Sequence, residues 1–129
     1  MEKLDLIQTH YIGNPWKIMI SCILLNQTNN RQVRPVIIKF FDVFPTPNSL
    51  DESHLDAISQ ILKPTGFQNV KAKRILNFTR VWNSGERDPN KFPGIGPYGR
   101  DTWKIFMEDK TDFIPEDKKL SAYLSQLNQ

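Results

Sequence analysis

The sequence predicts an all-α protein, because apolar residues recur at helical spacing and no stretch alternates strictly as a half-buried strand does. Proline and glycine stand where helices begin or end, and the connections between apolar segments are short. Closely spaced helices with short loops form compact bundles. With 129 residues and no repeat or long linker, residues 1–129 are expected to form a single domain.

The first predicted helix is the segment NPWKIMISCILLNQT, where Asn14 can cap the helix and Pro15 takes the first helical position. The segment is apolar on nearly every side, which predicts a helix that runs through the middle of the domain. The second helix contains Pro35 near its start. Its apolar residues at helical spacing are Val33, Val36, Ile37, Phe40 and Phe44.

The next two helices follow breaks in the chain. After FPTPNS, either Asp51 or Ser53 can begin a helix that ends before Pro64. Its inward-facing residues are Leu55, Ile58 and Leu62. The segment LKPTGFQNVKAKRILNFTRVW is a turn followed by a helix, whose apolar face consists of Ile75, Phe78 and Trp82.

The last two helices follow a glycine-rich stretch and a proline. FPGIGPYG holds three of the six glycines and leads into a helix from about Tyr98 to Met107. In IPEDKKLSAYLSQL, Pro115 is expected to open the final helix. Its apolar stripe at helical spacing consists of Leu120, Tyr123, Leu124 and Leu127.

The amino-acid composition of the chain limits the classes of function and of binding site that it can have. The net charge of +3 is a mild basic bias that permits a polyanionic partner without showing one. Cys22 is the only cysteine, which excludes an intrachain disulfide and a four-cysteine metal site, and its apolar surroundings favour a small buried hydrophobe over a reactive thiol. The two histidines are too few and too far apart for a metal site. The chain lacks a membrane-spanning run and a signal-peptide pattern, so a soluble intracellular protein is expected.

The stretch PGIGPYG has two interpretations. Its glycines can let the chain reverse between helices, or bare amides at a helix start can face a phosphate. A dinucleotide-binding site is a third and weaker interpretation, because no strand precedes the GxGxxG match. A second turn, KPTGFQNVKAKR, places Lys71, Lys73 and Arg74 in the first turns of a helix, where cations oppose the dipole. Either an external anion bound at the helix start or an ordinary solvated helix face explains these basic side chains.

Taken together, these segments resemble the helix-hairpin-helix DNA glycosylases. PGIGPYG is similar to the family hairpin, L-P-G-[VI]-G, and four segments look like successive blocks of the methyl-CpG-binding thymine glycosylase branch: NPWKIMISCILLNQT, LKPTGFQNVKAKRILNF, GIGPYGRDTWKIF and IPEDKKL. The likeness covers about residues 4 to 120. It implies a compact helical bundle that excises thymine or uracil opposite guanine, without the iron–sulfur cluster of other members.

The resemblance assigns the chemistry to Asp117. This residue matches the family aspartate that stabilises an oxocarbenium-like sugar and helps activate water. Free amides and the dipole at the start of the last helix favour its ionised form, and a plain helix cap is the alternative role. Tyr98 stands where strand-cutting members carry a Schiff-base lysine, so the implied reaction is monofunctional and ends at an abasic site. In this branch the tyrosine borders the extruded base; packing against the hairpin is its alternative.

Three further residues are assigned in the same way. Gln8 aligns with a base-pocket glutamine, whose amide offers a donor and an acceptor to thymine or uracil; a solvated glutamine is the alternative. Phe67 falls where the family inserts an apolar wedge into DNA, with a core residue closing the turn as the alternative. Gln27 replaces an arginine that helps hold the flipped state, which implies weaker DNA affinity or altered reading of the opposite base.

The resemblance also implies the partner, which is double-stranded DNA with a mismatched or damaged base. Its phosphates would meet the amides of Gly94, Gly96 and Gly99 and the side chains of Lys71, Lys73, Arg100, Lys118 and Lys119. Related hairpins often hold a monovalent cation through main-chain carbonyls, and no other cofactor is expected. A monomer in the nucleus is expected. The alternatives are a catalytically inactive helix-hairpin-helix module that binds mismatched or damaged DNA, and an enzyme acting on another base such as an alkylated purine.

Overall fold

The structure is a computed structural model that describes residues 6–128, and within them the chain forms helices and no strand. The α-helices are α1 (Pro15–Leu25), α2 (Asn30–Val43), α3 (Leu55–Leu62), α4 (Gln68–Asn83), α5 (Pro97–Met107) and α6 (Lys118–Leu127). Short 3₁₀ turns lie at Ile7–Tyr11, Pro47–Ser49, Glu52–His54, Lys63–Thr65 and Pro89–Lys91. The all-α prediction is confirmed. None of the helices in this part of the chain is long and apolar enough to cross a membrane.

Helix α1 is the central element, as its uniform apolarity predicts. The Asn14 side chain accepts a hydrogen bond from the Lys17 amide at 3.2 Å, and Pro15 lies in the first turn, so both features of the predicted start are present. Most of α1 is buried, and it packs against α2, α4 and α5. Because burial of apolar surface stabilises a fold by about 25 cal/mol per Å², packing against the buried α1 stabilises the positions of α2, α4 and α5.

Aromatic rings fix the helices on either side of the glycine-rich stretch. Phe92, just before that stretch, packs edge-to-face on Phe78 of α4 at a centroid distance of 5.1 Å. It also packs on Trp103 of α5 at 5.3 Å. Such pairs contribute about 0.5–1.5 kcal/mol beyond the area they bury. The hairpin is therefore anchored at its base by rings from both flanking helices.

Helix α6 packs in a second, smaller core. Leu120 and Leu124 are buried against Leu6 and Ile105. The predicted stripe is shorter than its periodicity indicates, because Leu127 at the end of the helix is 51% exposed. The contact between α6 and the rest of the protein therefore runs from Leu120 to Leu124 and does not include Leu127.

The final helix begins later than predicted. Pro115 does not open it: α6 begins at Lys118, and Asp117 is its N-cap. The reason is that an aspartate in extended conformation caps a helix by accepting a hydrogen bond from a first-turn amide, and Asp117 makes this bond with the amide of Leu120. The correction moves Asp117 from the first turn to the residue just before it.

Candidate active site

A cleft of about 680 Å³ opens where three segments meet, and its size is typical of a small-ligand pocket. The end of α1 with the loop after it, the glycine hairpin with the first turn of α5, and residues 116–119 form its walls. The predicted site residues that line it are Gln27, Gly94, Gly96, Tyr98, Gly99, Asp117, Lys118 and Lys119. The others, Gln8, Phe67, Lys71, Lys73 and Arg100, lie outside its lining.

Asp117 both caps α6 and lines the cleft, so its role as a cap leaves it at the candidate site. Its Oδ2 atom accepts a hydrogen bond from the Leu120 amide at 3.0 Å. The residue is half-buried, and its neighbours Lys118 and Lys119 are exposed on the same rim. Within residues 6–128, Oδ1 accepts no hydrogen bond. One carboxylate oxygen is thus fixed by the helix, and the other is free for a ligand.

Asp101 of α5 lies outside the cleft lining but contacts the segment that carries Asp117, and the sequence did not reveal this contact. Its Oδ2 atom accepts a hydrogen bond from the Glu116 amide at 3.4 Å, and its carboxylate pairs with Lys104 at 3.9 Å. The contact joins α5 to the residue directly before Asp117. Its only sequence signal is an aspartate on the first turns of α5, which is indistinguishable from an ordinary surface charge.

A hydrogen bond between the side chains of Gln8 and Tyr98 lies behind the cleft. The Gln8 side chain is fully buried, and its Nε2 atom donates to the Tyr98 hydroxyl. Within the described chain its Oε1 atom has no hydrogen-bond partner, which costs about 1–3 kcal/mol. Burial raises the pKa of Tyr98, with the Cys22 thiol as the next cause, so the hydroxyl stays neutral. The alternative of a solvated Gln8 is excluded, and the glutamine reaches the cleft through Tyr98.

Cys22 is buried, as its apolar surroundings predict, and it forms part of the cleft floor. Burial raises the pKa of its thiol to about 12, although hydrogen bonding with Thr102 and Gln8 acts in the opposite direction. A thiol with this pKa remains protonated at neutral pH and is a poor nucleophile. The floor of the cleft is thus uncharged beneath the Asp117 carboxylate.

The raised pKa of Cys22 predicts a loss of stability in alkali. Above pH 9.0, the ordinary value, the unfolded thiol ionises while the buried one keeps its proton, so the free energy of unfolding falls as pH rises towards 12. The contribution of this group is complete below pH 9 and falls by at most about 1.4 kcal/mol per pH unit above it. Urea unfolding between pH 8 and 11 should show a steeper decline for the wild type than for Cys22→Ala. Parallel declines would contradict this prediction.

The three hairpin glycines differ in whether the structure requires a residue without a side chain. Gly94 has φ of +76°, and a Cβ there would lie 3.1 Å from the Cβ of Arg74. A Cβ on Gly99 would lie 2.6 Å from the Ile95 side chain, so this glycine is required by packing. Gly96 has open space around it and forms the N-cap of α5 without a side-chain cap. Turn geometry explains Gly94, and packing explains Gly99. Neither explains Gly96, which leaves open amides at the start of α5.

Gln27 and Phe67 share an unusual backbone conformation. Both lie in the left-handed region, with φ of 58° and 51°, which side chains other than glycine adopt at some cost and which concentrates at functional sites. Phe67 is 58% exposed, so the alternative of a core residue closing the turn is wrong. Gln27 is exposed at the rim of the cleft. Each residue stands at the tip of a turn.

The prediction that Lys71 contacts phosphate is wrong. Its side chain is only 1% exposed, and its Nζ atom donates to the carbonyls of Leu24 at 3.1 Å and Thr65 at 3.3 Å. Burial lowers the pKa of this ammonium, and the charge of Arg74 lowers it further. The position of Lys71 in the sequence predicted a surface side chain. A lysine can nevertheless be buried when carbonyl oxygens accept hydrogen bonds from its ammonium.

The remaining predicted basic residues are accessible to different degrees. Lys73, Lys118 and Lys119 are exposed. Arg100 is half-buried, and its Nη1 atom donates to the Ile95 carbonyl of the hairpin at 3.4 Å. The monovalent cation expected at the hairpin carbonyls stays a prediction. Among residues 6–128, no group of three or more His, Cys, Asp or Glu side chains is arranged to hold a metal.

Comparison with known proteins identifies similar chains. The family model described as "HhH-GPD superfamily base excision DNA repair protein" matches residues 20–129. The chain is 27% identical to a "Methyl-CpG-binding domain protein 4-like protein" of Arabidopsis thaliana over 125 residues, which are 95% of this chain and 28% of that protein. It is 28% identical to a "Thymine-DNA glycosylase" of Aeropyrum pernix over 94 residues, 67% of this chain and 42% of that one.

A third relative is the "Thymine/uracil-DNA glycosylase" of Pyrobaculum aerophilum. The identity is 29% over 94 residues, which cover 67% of this chain and 41% of the relative. The chain thus spans less than half the length of each of these three curated relatives. The residues that the family model matches, 20–129, include the hairpin and every residue that lines the cleft.

Proposed function

Because the chain belongs to the HhH-GPD superfamily of base excision DNA repair proteins, we propose that it is a monofunctional DNA glycosylase that excises thymine or uracil opposite guanine. The observation that carries this proposal is the half-buried Asp117 carboxylate, which faces the same cleft as Tyr98 and the glycine hairpin. The similarity to a thymine-DNA glycosylase and a thymine/uracil-DNA glycosylase supports pyrimidine substrates of this kind.

Asp117 supplies the charge that such a reaction needs. Cleavage of the bond between C1′ and the base leaves positive charge on the sugar, and a nearby carboxylate stabilises it. Oδ2 is held by the Leu120 amide at 3.0 Å, so the carboxylate needs little reorganisation during the reaction. The base leaves with the electron pair of the broken bond and takes up a proton from solvent. Water then adds to C1′ and gives a proton to Oδ1, so that an abasic site remains.

Tyr98 determines that the reaction stops there. A phenol cannot form the Schiff base through which a lysine at this position would cut the backbone. The hydroxyl is held by Gln8, which fixes the ring at the wall of the cleft where an extruded pyrimidine would stack. Flipping a base out of a duplex costs a few kcal/mol and costs least at a mismatch, which favours thymine and uracil opposite guanine.

DNA binding is proposed for the surface around the cleft. The open amides at the start of α5, beginning with Gly96, are suited to a phosphate. Lys73, Lys118 and Lys119 are exposed and add a salt-sensitive attraction. Phe67 would fill the space that the flipped base leaves. We further propose that the protein acts as a monomer, without an iron–sulfur cluster, on nuclear DNA.

An assay on duplexes with thymine or uracil opposite each of the four bases tests this function. We expect release of both bases opposite guanine, faster for uracil, and strand breaks only after alkali. Breaks that form without alkali would show lyase activity and reject the monofunctional reaction. Tight binding to mismatched DNA without base release would instead select the inactive binding module, which the uncharged Gln27 at the rim favours.

A further inference from the structure

Lys71 joins two turns that are distant in sequence. Its ammonium donates to the carbonyl of Leu24, in the last turn of α1, and to the carbonyl of Thr65, at the end of a 3₁₀ turn. Leu24 precedes Gln27 by three residues, and Thr65 precedes Phe67 by two. Among the described residues other than glycine, three are exposed and have a left-handed backbone. Two of them, Gln27 and Phe67, lie just after the two carbonyls that one buried cation holds.

The first contact completes the end of α1. The last carbonyls of a helix lack partners within the helix, and a cation there also opposes the negative end of the dipole. The Leu24 carbonyl obtains its donor from Lys71 of α4, 47 residues away in sequence. The chain then leaves α1 through the turn that carries Gln27, whose φ of 58° has to be maintained by its surroundings.

The second contact fixes the turn before α4. Phe67 is the N-cap of α4, but it provides no side-chain cap. The turn is held locally by the Gly66 amide, which donates to the Lys63 carbonyl at 3.2 Å, and by the Thr65 hydroxyl, which donates to the Leu62 carbonyl at 2.8 Å. The Lys71 ammonium adds the bond to the Thr65 carbonyl, which ties this turn to the end of α1.

The geometry points to Lys71 as a positioning residue that holds the Gln27 and Phe67 turns together as one rigid DNA-probing unit. It does not contact DNA, because its side chain is 1% exposed. The importance of the Gln27 and Phe67 side chains for DNA binding rests on the proposed function. The coupling of the two turns through Lys71 does not rest on it. Removing the ammonium would free both turns at once, although they are separate in sequence.

Hydrogen exchange in the free protein tests the coupling directly. Lys71→Met keeps the length of the side chain and loses its donors. We expect exchange in peptides covering residues 24–28 and 63–68 to accelerate by about tenfold, while peptides from α2 are unchanged. Lys71→Arg, which restores donors for both carbonyls, should return both segments towards the wild-type rate. Lys39→Met, at an exposed position of α2, is the matched control and should change neither segment.

Acceleration in only one segment, an equal rise in every peptide, or no change would each overturn the inference. If Lys71→Met does not fold, exchange is measured in the same two peptides of Lys71→Gln. Exchange is expected to accelerate in both segments of Lys71→Gln and in neither segment of Lys71→Arg, and acceleration in one segment alone would again overturn the inference.

Uracil excision gives a second readout, which separates this inference from the proposed function. Excision from a single strand needs no wedge, so Lys71→Met should lower excision from a G·U duplex by about tenfold and leave single-strand excision unchanged. Equal loss on both substrates would contradict a positioning role. A wild-type protein that excises uracil from neither substrate would reject the proposed function, and the exchange experiment would still decide whether Lys71 couples the turns.

Discussion

Asp117→Asn is expected to lower the single-turnover rate of uracil release from a G·U duplex by about 10³-fold, a size typical of losing one electrostatic group aimed at a developing charge. The fold should be unaffected, because asparagine caps helices as well as aspartate does. Its amide oxygen can still accept from the Leu120 amide, which now lies 3.0 Å from Oδ2. The substitution therefore removes the negative charge and keeps the cap. Alkali-treated products resolved by electrophoresis measure the rate.

A second capping aspartate provides the matched control for this experiment. The Asp51 side chain accepts from the Ser53 amide at 2.8 Å and lies outside the cleft lining. Asp51→Asn should leave the excision rate within about twofold of the wild type, as is usual for surface substitutions. A wild-type rate for Asp117→Asn would remove Asp117 from the chemistry and leave it as a helix cap alone.

Phe67→Ala is expected to lower excision from G·T and G·U duplexes by about tenfold to a hundredfold. The ring is 58% exposed in the free protein, so its removal should have little effect on stability. Stacking of an aromatic ring on a base contributes about 1–3 kcal/mol, and the variant loses this contribution only when the base is flipped. Single-turnover rates on duplex and single-stranded uracil substrates measure the effect, which should be confined to the duplex.

Two further variants test whether the shape of Phe67 is what matters. Phe67→Leu keeps an apolar side chain and should retain most of the duplex activity. Ile38→Ala removes another exposed apolar side chain, on α2 and 66% exposed, and should have no effect. A loss for Phe67→Ala that is equally large on single strands would show that the ring does not act as a wedge.

The helices could be predicted from the sequence because their signals are local. Asn14 and Pro15 mark the start of α1 within one turn of the residues they affect, and the spacing of apolar residues predicted the buried faces of α2, α3 and α4. The start of α6 was placed too early because Pro115 and Asp117 are both good helix-initiating residues. The choice between them depends on tertiary packing, which the sequence pattern does not contain.

The site was only partly predictable, because several of its properties depend on partners far away in the chain. Burial of Lys71 requires a carbonyl 47 residues distant, and burial of Gln8 requires the hydroxyl of Tyr98, 90 residues distant. The need for glycine at position 99 comes from a contact with Ile95, which only the folded hairpin creates. Family resemblance named most of these residues, but it did not show which of them are accessible.

The small core beneath α6 has a consequence for how this protein would lose activity on heating. Asp117 belongs to a segment whose hydrophobic attachment consists mainly of Leu6, Ile105, Leu120 and Leu124, whereas α1 is surrounded by the large core. Regions with few apolar contacts open at lower free energy than the global transition. Detachment of α6 would disable the carboxylate while the bundle and its hairpin persist, so thermal inactivation and melting become separate events. Leu6 is one of the four buried residues of that core, so its loss would lower the temperature at which α6 detaches.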